Sequence, residues 1–157
     1  MINREEFNRM VLDADYDAVL SLFDESPGAV RRMLNRLTFE PGTPLQKAAI
    51  RTFMVLSHQR AAKQRLFFLE TIRQHVWGMN EESSTIDWCG PEIIGAIIAG
   101  SPHLYREFLP IMFYNALHEP IFHNSLLAAL EMIAAIDAEL AAPYQAEFAP
   151  LFAPLKV

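Results

Sequence analysis

Two groups of residues have types and spacing that could do chemistry. The first is acidic and aromatic. Trp77, Glu81, Glu82, Asp87, Trp88 and Glu92 fall within sixteen residues and include both tryptophans of the chain. Carboxylates set between large amphipathic rings suit the capture of a basic, partly apolar protein surface. A competing arrangement packs the rings in the core and leaves the acids solvated. It fits Trp88 better than Trp77, because Trp88 takes the first apolar position of a repeat described below. The second group is basic. Arg32 and Arg36 lie one helical turn apart, as do Lys47 and Arg51, so each pair shares a face. Such pairs could meet phosphates, which makes nucleic-acid binding through residues 31–73 the alternative function. They could equally form a solvated face paired with acidic segments of the same or another copy.

Other motifs come close to a chemistry and miss it. Asp13, Asp15, Asp17 and Asp24 resemble a calcium loop, but Ala18 stands at the glycine position and Asp24 replaces the terminal glutamate. An acidic helix start, with Asp15 as cap, explains them better. His118 and His123 in His118-Glu119-Pro120-Ile121-Phe122-His123 are five residues apart rather than four, and Pro120 interrupts the segment, so a zinc-protease pair is excluded. Cys89 precedes Gly90-Pro91 at an expected helix start, yet Asp87 and Glu92 oppose thiolate formation, and a small buried residue is the expected role. No catalytic residue, metal site or cofactor is assigned.

Composition bounds the rest. The chain has 157 residues, 52% of them hydrophobic and 20% charged, which excludes disorder as its main state. The lone cysteine excludes an internal disulfide framework and points to a reducing, cytoplasmic setting. Ile2-Asn3-Arg4-Glu5-Glu6 lacks the apolar core of a secretory signal, and the apolar stretches 93–102 and 108–118 are too short to span a bilayer. The net charge of −6 is unevenly spread. Residues 1–30 carry two basic groups against seven acidic, residues 31–73 nine against two, and residues 74–157 two against ten.

These residues must be positioned by helices. Apolar residues recur at three- and four-residue steps, and Ser26-Pro27, Thr43-Pro44, Gly90-Pro91 and Ser101-Pro102 read as helix starts. The spacing predicts nine helices over about 3–12, 15–25, 27–39, 44–58, 60–80, 90–100, 102–117, 120–139 and 143–153. Short connections predict antiparallel neighbours. The poorly charged, aromatic segment 141–155 is expected to dock on the last repeat, with a possible homodimer contact through the same segment.

Self-comparison adds a period. Leu45 to Leu56 follows an apolar-x-x-small-small-x-x-small-apolar-x-x-apolar template, Phe122 to Ile133 follows it with one large residue at a small position, and Trp88 to Ala99 is a looser copy. The three starts are 43 and 34 residues apart, the range of two-helix repeats. Over roughly residues 27–139 the chain resembles HEAT-like repeat proteins of the bacterial, phycobilisome-lyase-like type. The resemblance implies an all-α fold, an α-solenoid of HEAT-like or armadillo type, in one domain over 1–157. Its repeats would be 3–25, 27–58, 60–100 and 102–139, followed by the C-terminal helix. It also implies a non-enzymatic protein–protein interaction scaffold. In such stacks Lys47 and Arg51 would line the concave face, an arrangement similar to that of helical-repeat DNA glycosylases. A tetrapyrrole lyase-like chaperone is a more distant implication, for which Cys89 is the residue to recruit.

Overall fold

A computed structural model describes residues 2–80 and 87–152, and among them the chain forms ten α-helices and no strand. Local capping chemistry sets most of the starts. Helix α1 (Arg4–Leu12) begins at Asn3, whose Oδ1 accepts the Glu6 N–H at 2.8 Å. Helix α2 (Tyr16–Glu25) begins at Asp15, which accepts from Ala18 N–H. Helix α3 (Pro27–Leu37) and α4 (Pro44–Arg60) both open on proline, and Thr43 Oγ1 caps α4 by accepting from Gln46 N–H at 3.1 Å. There follow α5 (Arg65–Met79), α6 (Gly90–Gly100), α7 (Pro102–Tyr105), α8 (Phe108–Ala116), α9 (His123–Ile136) and α10 (Ala138–Phe148).

Two proline positions correct the expected boundaries. The helix expected over 102–117 is broken at Arg106 and Glu107 into α7 and α8. Pro110 is the reason: in a continuous helix its ring would clash with the carbonyl of Arg106 and leave that carbonyl unpaired. The break moves Pro110 into the first turn of α8, where its missing N–H costs nothing. At the other end, the helix expected to start at Pro143 starts at Ala138 instead. Asp137 leaves helical geometry and its Oδ1 accepts the Leu140 N–H at 3.1 Å, so the aspartate cap outranks the proline, which stays inside α10. Helix α9 accordingly ends at Ile136 rather than 139, and a 3-10 turn over Pro120–Phe122 precedes it.

Helix α6 is the centre of the packing. It has no polar face, every residue from Ile93 to Gly100 is buried, and it touches α4, α5, α7, α8 and α9. The three template copies lie on α4, α6 and α9, and these helices pack side by side in that order, with α10 beyond α9. On the other side α5 touches both α6 and α8. Arg31 ties α3 to α5 by hydrogen bonds to Thr71 Oγ1 (3.0 Å) and Glu70 Oε1 (3.2 Å) and by lying over the Phe67 ring.

The template's small positions explain how α6 fits. A Cβ on Gly95 would stand 2.6 Å from the Cβ of Ala129, its equivalent in the next copy, and one on Gly100 would strike the Met54 carbonyl oxygen of α4. Where the backbones come this close, polar groups close the gap. Ser57 Oγ donates to Ile97 O (2.7 Å), and Ser101 Oγ donates to Ser57 O (2.9 Å). Ile97 O, which also accepts the Ser101 N–H, thus takes a second hydrogen bond from α4.

Candidate functional site

Helix α5 buries Phe68, Ile72, His75 and Met79 at helical spacing, so a histidine stands where the period calls for an apolar residue. Its side chain is nine-tenths buried, and its Nδ1 lies 2.6 Å from Asp87 Oδ2. The partner arrives because the turn at residues 87–89 packs on the end of α5. Gly78 permits this, since a Cβ there would sit 3.0 Å from Asp87 Oδ2. His75 Nε2 is buried and has no hydrogen-bond partner among the described residues. Asp87 therefore faces inward and anchors the turn; the free acidic side chain expected from the sequence is not what it presents.

The tryptophans flank this anchor on its outer side. Trp77 precedes Gly78 and is 69% exposed, and Trp88 follows Asp87 and is 50% exposed. The core position that the repeat suggested for Trp88 is overturned. Its template site falls in the turn before α6, and the neighbouring Cys89 enters the core in its place. Glu81 and Glu82 lie outside the described residues.

Cys89 is held from two sides. Its thiol donates to Thr38 O at 3.2 Å, and Gln46 Nε2 reaches its sulfur at 3.5 Å. Burial, reinforced by the negative charge of Glu92, pushes the thiol up to about 12, so it is not a nucleophile at neutral pH. That removes the chemical handle on which a lyase-like role would draw.

Glu92 does not join the tryptophans in a single acidic face. It lies in the first turn of α6, where Gln46 Nε2 donates to its Oε2 at 3.3 Å and its backbone N–H donates to Ser125 Oγ at 3.0 Å. Burial pushes its carboxyl up, partly offset by hydrogen bonding from the Gln46 and Ser125 side chains and by the charge of Lys47. Lys47, Arg51 and Glu92 line one open groove of about 440 Å³ across α4, α6 and α9. Arg32 and Arg36 instead edge a groove of about 590 Å³ between α2 and α3, shared with Glu25. Arg36 also lines a neighbouring groove with Glu40, so the four cations are spread over three grooves, each of which also holds a carboxylate.

The remaining sequence motifs take structural roles. Asp15 caps α2, and Asp24 receives Arg60 at 2.7 and 2.9 Å. His123 Nε2 bonds to Leu117 O at 2.7 Å and its ring packs on Phe148. Sequence reasoning missed His75 and Gln46. The signal for His75 was its place in the apolar stripe of α5; Gln46 gave none, because its partners lie 43 and 46 residues away. No family profile, no curated protein and no solved structure matches this chain.

Proposed function

We propose that this chain is a non-enzymatic protein–protein interaction module of the HEAT-like α-solenoid type, receiving a basic protein partner at Trp77 and Trp88. One observation carries the reading: both tryptophans of the chain are exposed, and they flank a turn held in place by the His75–Asp87 pair. Large rigid rings ordered on a fixed base lose little entropy on binding and supply most of the area that hot spots use. The acidic residues of the segment, Glu81 and Glu82 among them, give the sign of the partner's charge. The solenoid reading is supported by the side-by-side packing of the three template copies on α4, α6 and α9, with α5 and α8 behind them.

Affinity capture from the source cells at two ionic strengths supplies the partner, and the test is that purified partner's affinity for variants. W77A/W88A is expected to weaken binding by at least about tenfold, equivalent to about 1.4 kcal/mol. Glu81→Lys with Glu82→Lys is expected to weaken it most at low salt. Unchanged affinity in W77A/W88A refutes the assignment.

A further inference from the structure

Helix α5 has an outer stripe that the fold leaves uncovered. Its inner face, with Phe68, Ile72, His75 and Met79, packs into the core. On the outer face Leu66, Glu70, Arg73 and Trp77 lie within about 60° of one another, at about 100° per residue. All four are exposed. Leu66, at 76%, is the most exposed large hydrophobic side chain among the described residues, and Trp77 stands on the same stripe about 16 Å further along the axis. The ions between them are not used up within the chain. Arg73 makes no ion pair among the described residues. Glu70 receives Arg31 at 3.2 Å and Gln74 at 3.1 Å, both on Oε1, and its Oε2 makes no hydrogen bond among those residues.

The order apolar, acid, base, apolar becomes its own complement when the helix is reversed. In two antiparallel α5 helices related by a two-fold axis between Thr71 and Ile72, Leu66 stands level with Trp77 of the second copy, about 8 Å from the axis along the helix. Glu70 stands level with Arg73 of the second copy, about 2 Å from the axis. Symmetry makes each pairing occur twice. A parallel pair would instead set every residue against its twin, placing Glu70 against Glu70 and Arg73 against Arg73 across helices about 8–10 Å apart. A partner of one charge sign would meet either Glu70 or Arg73 as a repulsion, whereas a second copy satisfies both ions and both apolar ends.

We propose that α5 is the interface of a two-fold symmetric homodimer, antiparallel to its mate, with Trp77 packed on Leu66 of the second copy. The dimer goes beyond the tryptophan reading and shares only Trp77 with it, so a second copy and a basic partner compete for that ring. One helix face per copy is well short of a standard interface of about 1,600 Å², which puts the dissociation constant on the order of 0.1 mM.

Sedimentation velocity of the full chain between about 10 µM and 1 mM tests it, and the wild type is expected to pass from monomer to dimer across that range. Leu66→Ala is expected to weaken association about tenfold, since the two-fold axis counts the loss twice. Arg73→Glu and Glu70→Arg each set like charges level with one another and are expected to weaken it by at least about fivefold. An equimolar mixture of those two variants restores opposite charges at both levels and is expected to associate at least as tightly as the wild type. In Trp88→Phe the emission of Trp77 is expected to shift to shorter wavelength on association, and Leu66→Ala in that background to remove most of the shift. Leu66→Ala is expected to leave the dilute protein's affinity for the basic partner unchanged, and Trp88→Ala to leave self-association unchanged, so the dimer and the tryptophan reading fail separately. A chain that stays monomeric at about 1 mM, association untouched by Leu66→Ala, or a mixture of the charge variants no tighter than its components overturns the proposal.

Discussion

Gly95→Ala tests whether the repeat template is a packing code. Gly95 holds the eighth template position of its copy, and Ala129 holds the same position in the next. A new Cβ would stand 2.6 Å from the Ala129 Cβ and 3.0 Å from its Cα, against 3.4 Å for ordinary contact. The two helices must therefore separate by nearly an ångström. Neither can tilt freely, because α6 is enclosed and Ala129 is fully buried. Overpacking of this kind costs about 1–3 kcal/mol. Replacing a helical glycine by alanine returns about 1 kcal/mol. A 2.6 Å approach to a fully buried neighbour belongs in the upper part of that range, about 2–3 kcal/mol, so the net is a loss of about 1–2 kcal/mol, or roughly 2–8 °C in Tm for a chain of this length. Thermal unfolding followed by circular dichroism measures it. Combining Gly95→Ala with Ala129→Gly removes the opposing Cβ, so the pair should couple favourably by about 1 kcal/mol in a double-mutant cycle. Gly28→Ala, whose Cβ would meet only the Arg32 side chain at 3.6 Å, is the neutral or stabilising control. A Gly95→Ala protein as stable as the wild type would show that α6 and α9 are not in this register.

Three further outcomes follow from the site. Glu92→Gln should stabilise the protein at neutral pH, because burial raises the folded-state pKa of this carboxyl. The favourable contribution is present at acid pH and is lost as pH rises through the folded value, so the gain over wild type should vanish near pH 4, as denaturant titrations across that range would show. Cys89, with its thiol near 12, should react with iodoacetamide far more slowly than a free thiol at pH 7.5, and at full speed once urea unfolds the chain; rapid native labelling would contradict its burial. Asp87→Asn should lower stability by about 1–3 kcal/mol by weakening a short charge-assisted bond to a buried ring, and should alter tryptophan emission, since both tryptophans adjoin that anchor.

Much of the fold was legible because it is written in local chemistry. Thr43-Pro44, Asp15 and the Ser26-Pro27 and Ser101-Pro102 steps mark helix starts within a few residues of where they fall, and the template's small positions mark the helices that touch. Pro110 and Pro143 were misread for opposite reasons. At Pro110 the steric conflict with Arg106 outweighed an uninterrupted apolar pattern, and at Pro143 a nearby aspartate cap outweighed the proline signal. The site was less legible. Exposure of Trp88 depends on the turn at 87–89 lying outside α6, and the pairing of His75 with Asp87 depends on Gly78 letting that turn approach. Both are properties of two elements in contact, which a period along one helix does not contain.

Charge order along the chain shows the same limit. The sequence sorts into acidic, basic and acidic blocks, and on a stack of repeats that order would become bands on the surface. Side-by-side packing does something else. Arg60 of the basic block pairs with Asp24 of the first acidic block, and Arg106 pairs with Asp137 inside the last. Helices α4, α6 and α9 then bring Lys47 and Arg51 across from Glu131, with Glu92 beside them. Charged residues up to 84 positions apart in sequence thus share one groove. Repeat packing aligns equivalent helical positions, so the sign of the surface at any point is set by which copies meet there, and a basic segment next to an acidic one yields a groove of mixed sign rather than a basic face. The −6 net charge therefore says less about the surface at this groove than the positions of Lys47, Arg51, Glu92 and Glu131 do.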